Sequence, residues 1–472
     1  MIKKSISTQV FLLLGILVVL NLTVPTLKIL ITLFPRNDCL NTLKTVFPSL
    51  QRSHLSIPEV DCRGYYAYLR SIALDKDVDF TNDLKLLGHS RKAITITKTG
   101  YAANPWTIGP AILWLPFFAV AHGISVYLPT EMQGFPANGV SPLYDFFIII
   151  ASSLYGCFGL IFIYLFLCCF FSHLLCFVIL VCIFFGSALM FYFFHEPTMS
   201  HILSVFAVSG FLYFWYITLY NKKLLDWLLM GLWGGIAILV RVQDGVVILI
   251  PVLAELAVLF RANALKKSYW SGLLLFLTVT VLICIPQMIV WNVLYGDYIT
   301  IPQGPGFMNW STPKIIQVLF STNHGLLTYT PIMLLAVAGL FLPDTGRHAR
   351  LVSFVFITVF LVELYINAAV NDWYAGWAFG ARRFLSCSLL FAWGLGNVLK
   401  RTLTKRLLLY TVAGYLVVLV FFNSAFYFQW IYGRIPRAGA LTIQHYLFDK
   451  ADALFFGSNM CKKALLTVLN CF

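Results

Sequence analysis

Residues 270–292 read WSGLLLFLTVTVLICIPQMIVWN, a stretch without one charged side chain. A helix of about 20 apolar residues crosses the roughly 30 Å hydrocarbon core of a bilayer. Similar apolar stretches recur near 9–33, 108–128, 143–166, 174–194, 199–220, 224–240, 242–260, 328–342, 351–370, 384–399 and 407–430. The sequence therefore predicts an all-α polytopic membrane protein with about 11–13 transmembrane helices.

The composition excludes a string of soluble domains. Of the 472 residues, 60% are hydrophobic and 11% are charged, whereas soluble proteins have about 45–50% apolar and about 25% charged residues. The net charge of +14 comes from short basic clusters between the apolar stretches, not from a basic patch with interleaved aromatic residues. Nucleic acid is therefore not expected as a partner, and the clusters indicate the cytoplasmic side of the membrane. We expect a multi-pass integral protein of a bacterial inner membrane.

The basic clusters also predict the topology. They divide the chain into a transmembrane domain, 1–430, whose first span is not cleaved, and a short C-terminal tail, 431–472. The segments assigned to the outer face are 35–107, 195–201, 293–327, 371–383 and the tail. Counting spans forward from the N-terminus and backward from Lys222 and Lys223 places the residues after 108–128 on opposite sides of the membrane. Either this stretch is a re-entrant or interfacial hairpin, or one of the short spans beside Arg241 does not cross.

Two pairs of cysteines lie in the segments assigned to the outer face. Cys39 and Cys62 belong to the first outer loop, and Cys461 and Cys471 belong to the tail. An oxidising compartment would allow each pair to form a disulfide, but spacing alone does not fix the connectivity. Both pairings stay open at this point.

The first outer loop carries an acid at the start of a patterned segment. Apolar residues recur at helical spacing after Asp61, which predicts an amphipathic helix on the membrane surface. A carboxylate there can act as a general base toward a hydroxyl group. The alternative is an N-cap residue with a solvated acidic face. The repeating residues are Tyr65, Tyr66, Leu69, Ile72 and Ala73.

A second ionisable cluster separates two apolar stretches. It contains His195, Glu196 and His201 around Pro197. The spacing of the histidines and the proline do not suit a helical zinc site of the HExxH type. Polar groups at the end of a span are costly unless they meet water, substrate or each other, so the cluster is either a plain turn or the lining of a cavity.

Arginines on or near the outer face form the third candidate. Arg382 and Arg383 lie on the face opposite the basic clusters, and guanidinium groups bind phosphate through paired donors. The alternative is that they pair with Asp372 or with lipid phosphates. Arg241, close to Asp244, is either part of a hairpin turn with an internal ion pair or part of an anion site.

In their order along the chain, these segments resemble the GT-C superfamily of integral-membrane glycosyltransferases, which includes protein O-mannosyltransferases and lipid A aminoarabinose transferases. The resemblance extends to about residue 430 and is closest to the uncharacterised bacterial branch. The chain departs from the better-known branches in having Asn104-Pro105-Trp106 where they have a Lys-Pro-Pro pattern. The matching segments are Asp61, 65–71 with 75–82 behind it, 104–106, 114–116, 196–201, 323–331 and 376–383.

The resemblance implies a GT-C-like bundle that transfers a sugar, with inversion, from a polyprenyl-phosphate donor to a glycan, lipid or protein acceptor at the outer face. It makes Asp61 the catalytic base and makes Arg382 and Arg383 the residues that bind the donor phosphate. Arg241 is a further candidate for binding this phosphate. It makes Tyr65, Tyr66, His195, Glu196, His201 and His324 candidate substrate contacts.

The resemblance requires no cofactor. Asp75, Asp77 and Asp79 are weak candidates for a divalent metal, because their alternating spacing also suits a solvated loop. A multispan transporter or lipid flippase and a polysaccharide polymerase or ligase are the competing functions.

Overall fold

The computed structural model describes residues 7–33, 60–88, 94–128, 134–219, 221–343, 346–402 and 406–450. These ranges contain no strand, and their extended segments pair only at two isolated bridges, Ile96 with Ala102 and Met308 with Val370. The all-α class is confirmed. The helices are α1 Thr8–Leu33, α2 Val60–Arg70, α3 Thr81–Leu86, α4 Gly109–Tyr127, α5 Pro142–Leu167, α6 His173–Phe185, α7 Leu189–Phe194, α8 Ser200–Ile217, α9 Leu224–Val240, α10 Gly245–Arg261, α11 Lys267–Tyr295, α12 Ile315–Phe320, α13 Leu326–Tyr329, α14 Ile332–Leu340, α15 Arg347–Ala369, α16 Ser388–Thr402 and α17 Arg406–Ile431.

Every apolar stretch that the sequence predicts to cross the membrane coincides with a helix or a pair of helices. Among the described residues, eight helices are long and apolar enough to cross a bilayer alone: α1, α4, α5, α8, α10 with the turn before it, α11, α15 and α17. The other stretches are shorter or broken. The stretch 174–194 divides into α6 and α7, and 328–342 divides into α13 and α14. The chain is thus a multi-pass membrane protein with several short helices inside the bundle.

Small residues let neighbouring helices approach closely. Where α5 packs along α8, a Cβ added to Gly159 would lie 3.0 Å from the backbone nitrogen of Phe206. Where α14 meets α16, a Cβ added to Gly339 would lie 1.8 Å from the carbonyl oxygen of Gly394. Lipid tails are as apolar as the side chains, so close packing of this kind drives association between membrane helices.

Helix α2, which carries Asp61, lies inside the protein. The sequence predicts this helix on the membrane surface, yet Tyr66 and Tyr68 are 0% exposed. The Nδ2 of Asn104 donates to the carbonyl oxygen of Gly64 at 3.0 Å, and the Trp106 ring leaves no room for a Cβ on Gly64. The apolar periodicity shows one buried face of α2, but it does not show that residues near 104–106 cover another.

The stretch 108–128 is one continuous helix, α4, and not a hairpin. The segments before and after α4 both contact α2: Asn104 bonds to Gly64, and Tyr66 donates to the carbonyl oxygen of Gly139 at 2.5 Å. Both segments therefore lie beside α2.

Segments assigned to the outer face meet at one end of the helix bundle. Asp61 reaches Arg382, and Tyr65 reaches Ser200 at the start of α8. Helices α9 and α10 both run from this end toward a buried ion pair between Lys222 and Glu255, with Nζ and Oε2 2.5 Å apart. The two helices beside Arg241 thus extend together to this ion pair, and whether 108–128 crosses the membrane stays open.

The described part of the tail folds back onto the bundle. Tyr446 donates to the carbonyl oxygen of Thr328 at 2.6 Å, and the Leu441 amide donates to that of Thr322 at 3.2 Å. The tail therefore packs on the segment around His324. Cys39, Cys461 and Cys471 lie outside the described residues, so both disulfide predictions stay open.

Candidate active site

A cavity of about 370 Å³ opens at the end of the bundle where the outer segments meet. This volume lies within the roughly 300–1,000 Å³ range of small-molecule sites. Its polar lining residues are Asp61, Tyr65, Ser200, His201, Arg241, Gln243, Arg382 and Arg383. Its apolar lining residues include Trp106, Trp291, Ile301, Phe307, Trp310 and Ile366. The cavity thus combines charged and lipid-like surfaces.

Asp61 lies in the first turn of α2, where free backbone amides favour a carboxylate. Its Oδ2 lies 2.9 Å from Nη2 of Arg382 and forms an ion pair with it. The Asp61 side chain is 29% exposed, so the carboxylate faces the cavity while it is paired. This arrangement lets a ligand approach the acid without unfolding any element.

Arg382 and Arg383 begin a 3₁₀ turn, Arg382–Cys387, that leads into α16. Gly380 adopts φ +62°, a conformation that favours glycine, just before this turn. Burial alone would lower the pKa of Arg382, but the charges of Asp61, Tyr192 and Glu196 raise it above the ordinary arginine value. Arg382 is therefore a permanent cation.

Arg383 lies in a different electrostatic environment from Arg382. Burial, and then the positive charge of Arg382, lower the pKa of Arg383 to about 10, while Asp372 opposes the shift. Its Nη2 lies 3.5 Å from Oδ2 of Asp372. One of the two arginines thus pairs with Asp372, as the alternative interpretation predicts, and both still line the cavity. Both guanidinium groups are charged at neutral pH.

Arg241 lies in extended backbone between α9 and the 3₁₀ turn Val242–Asp244. Its Nη2 donates to Oε1 of Gln243 at 3.3 Å, and its Nη1 lies 3.5 Å from the carbonyl oxygen of Arg383. Asp244 accepts a hydrogen bond from Ser204. The segment is a turn, as one interpretation predicts, but among the ion pairs of the described residues the predicted pair of Arg241 with Asp244 is not formed. The turn also places a third guanidinium group at the cavity.

Tyr65 and Tyr66 point in different directions from α2. The Tyr65 hydroxyl lies 2.9 Å from Oγ of Ser200 and lines the cavity. Burial, and then the charge of Asp61, raise the pKa of Tyr65 to about 12, so its hydroxyl stays protonated. Tyr66 instead packs against Phe118, away from the cavity.

The cluster 195–201 also divides between the cavity and its surroundings. His201 lines the cavity, 4% exposed, with its ring edge against Tyr192. Glu196 is 0% exposed and its charge acts on Arg382. His195 packs against the rings of Phe191 and Trp430. The sequence could not separate these roles because the three residues lie within seven positions of one another.

His324 lies behind the arginines. It lines a second, very small cavity together with Arg382, Arg383 and Ala375. Both His324 and Ala375 have φ +61°, the left-handed region that non-glycine residues rarely adopt. Burial lowers the pKa of His324 to about 4, although a backbone hydrogen bond at Arg437 opposes the shift. His324 is therefore neutral at pH 7.

The acids 75–79 take part in local contacts. Oδ2 of Asp75 accepts from Arg70 at 2.6 Å, and Oδ1 of Asp77 accepts from Ser71 at 2.8 Å. Oδ1 of Asp79 accepts from the amide of Thr81 at 3.1 Å. Among the residues that the structure describes, no group of three or more His, Cys, Asp or Glu side chains is placed to hold a metal ion.

Sequence reasoning missed several polar residues around the cavity. Ser200 and Gln303 line it, and Glu363 lies behind Gln243 in the middle of α15. A lone acid in a membrane helix is itself a signal of function, and that signal could have identified Glu363. Ser200 and Gln303 carry no comparable pattern.

Comparisons with protein-family models and with curated proteins find no match to this chain. The fold and the site define a coarser class: a multi-pass integral membrane protein with an acid and three arginines in one cavity at an end of its helix bundle.

Proposed function

We propose that the protein is an inverting membrane glycosyltransferase. It would move a sugar from a polyprenyl-phosphate donor to a hydroxyl group of a glycan, lipid or protein acceptor at the outer face of a bacterial inner membrane. The observation that carries the proposal is the ion pair between Asp61 and Arg382 in a cavity that also contains Arg241 and Arg383. The apolar lining residues of this cavity suit the first isoprene units of the donor.

In the proposed reaction Asp61 accepts the proton of the acceptor hydroxyl as its oxygen attacks the anomeric carbon. The bond from that carbon to the phosphate oxygen breaks, and the polyprenyl phosphate leaves with the electron pair. Guanidinium groups at the phosphate stabilise the negative charge that develops on the leaving group, which is usually the largest catalytic effect. The proton on Asp61 then passes to water.

The proposal assigns Arg382 two successive partners. Before the donor binds, the guanidinium group pairs with Asp61. A donor phosphate would take this place and release the carboxylate to act as a base. Glu196, whose charge also acts on Arg382, would keep the arginine in position during the exchange.

The test is a transfer assay in proteoliposomes with a radiolabelled polyprenyl-phosphate sugar and a mixture of membrane acceptors. Transfer of label to a new product, lost in Asp61→Asn, would support the proposal. Movement of label across the membrane without transfer would indicate a transporter or flippase instead. Growth of a chain from diphosphate-linked units would indicate a polymerase.

A further inference from the structure

A chain of buried polar side chains meets the lining of the cavity at Gln243. Glu363 and Asn367 are one turn apart on α15 and are 0% and 1% exposed. Polar residues inside a membrane helix are costly and are retained when they have partners or a function. Both side chains face Gln243, which lines the cavity.

The hydrogen bonds of this chain have only one consistent direction. The backbone oxygen of Glu363 can only accept, so the Asn367 atom 2.9 Å away is the donor Nδ2. The other end of that amide, Oδ1, then faces Gln243 and accepts from its Nε2 at 3.1 Å. The same Nε2 also donates to Oε2 of Glu363. Both hydrogens of the Gln243 amide are therefore used inside the protein.

The oxygen of the Gln243 amide points toward Arg241. Oε1 of Gln243 lies 3.3 Å from Nη2 of Arg241 and accepts from it. Since an amide oxygen carries no net charge, it orients the guanidinium group without neutralising it. An acid at the same place would remove the positive charge that an anionic ligand needs.

We infer that Glu363 and Asn367 are positioning residues that fix the Gln243 amide and, through it, aim Arg241 into the cavity at a phosphate group. The inference rests on the proposed function, because it takes Arg241 as a phosphate ligand. The chain of hydrogen bonds ends at the backbone carbonyl of Glu363 in α15, so the helix itself sets the direction of Arg241.

The experiment measures binding of farnesyl phosphate to the purified full-length protein in detergent by titration calorimetry. Glu363→Leu removes an acceptor and lets the Gln243 amide turn, so we expect affinity to fall about tenfold, as in Arg241→Gln. Glu363→Gln restores an acceptor oxygen and should recover the lost affinity. The double variant of Glu363→Leu with Arg241→Gln should bind no more weakly than Arg241→Gln alone, because the first change acts through the second residue.

Glu255→Leu is the matched control, since Glu255 is also 0% exposed and lies at the opposite end of the bundle beside Lys222. It should lower the thermal stability without changing the affinity. If Glu363→Leu yields no folded protein, Asn367→Ala breaks the same chain and carries the same expectation. Unchanged affinity in the Leu variant, an additive loss in the double variant, or an equal loss in Glu255→Leu would overturn the inference. Wild-type protein that binds no farnesyl phosphate would instead overturn the proposed donor, and the inference with it.

Discussion

Asp61→Asn is expected to change binding and catalysis in opposite directions. Oδ2 of Asp61 lies 2.9 Å from Nη2 of Arg382. A phosphate group that binds Arg382 must therefore displace this carboxylate or share the guanidinium group with it. Removing the acid frees Arg382 and also removes a negative charge that repels the phosphate. A polyprenyl phosphate should therefore bind more tightly to the variant, while sugar transfer nearly disappears.

The exposure of the two side chains sets the size of the effect. Arg382 is 14% exposed and Asp61 is 29% exposed. Hydrogen bonds to charged groups contribute about 1.5–3 kcal/mol when buried, and exposed ion pairs contribute about 0–1 kcal/mol. For this intermediate case we take about 1–2 kcal/mol, which corresponds to roughly 5- to 30-fold in Kd. Loss of a general base lowers the transfer rate by about 10²–10⁴-fold.

The assay pairs farnesyl phosphate titration with radiolabel transfer on the same preparation. Asp297→Asn is the control, since Asp297 also forms an ion pair at 2.9 Å, with Lys98, but is exposed outside the cavity lining. This variant should alter neither the Kd for farnesyl phosphate nor the rate of sugar transfer. An Asp61→Asn protein that binds the phosphate no more tightly than wild type would refute the exchange of partners. A variant that keeps normal transfer would refute the assignment of the base.

Three further results are expected. Because the folded pKa of His324 is about 4 and its ordinary value is 6.5, its contribution to stability is complete above pH 6.5 and is lost as the pH falls toward 4. This residue should lower the free energy of unfolding by about 2 kcal/mol between pH 7.5 and pH 5. The melting temperature of His324→Gln should therefore fall less over that range than the melting temperature of wild type. Equal falls in the two proteins would contradict this. Gly394→Ala places a Cβ 1.9 Å from the carbonyl oxygen of Ala336 and should destabilise the protein by about 1–3 kcal/mol in thermal unfolding, whereas Gly414→Ala, with nothing within 4 Å, should not. Chelation by EDTA should leave transfer intact, because Asp75, Asp77 and Asp79 accept local hydrogen bonds; loss of transfer that a divalent cation restores would count against this.

The apolar stretches predicted the helices closely. The predicted stretch 143–166 is α5, Pro142–Leu167, and 407–430 is α17, Arg406–Ile431. Differences occur where glycine, serine or proline lies inside a stretch. The amide of Leu189 donates to Oγ of Ser187 at 3.2 Å, in the short break 186–188 between α6 and α7. Such local breaks leave the average hydropathy high, so counting apolar residues does not detect them.

The candidate site was predicted by residue type, but not by contact. Asp61, Arg241, Arg382 and Arg383 stand out in the sequence because charged residues are rare there, and the structure places all four at one cavity. The sequence pattern could not show that Tyr66 faces away from this cavity, since both tyrosines belong to the apolar periodicity of α2. The sequence offered Asp372 as a partner for the two arginines, but it could not show that Arg383 takes this partner while Arg382 pairs with Asp61.

The sequence by itself determined that the chain is helical and embedded in a membrane. In lipid every backbone polar group needs a partner, so long apolar stretches form helices whatever surrounds them. Only the tertiary structure decided which charged groups meet. Helices such as α11 are apolar on all sides, so their sequence specifies no preferred face, and their rotation and depth follow from packing against neighbours. That packing brings Glu363 behind Gln243 and Asp61 onto Arg382, and these contacts carry the proposed chemistry.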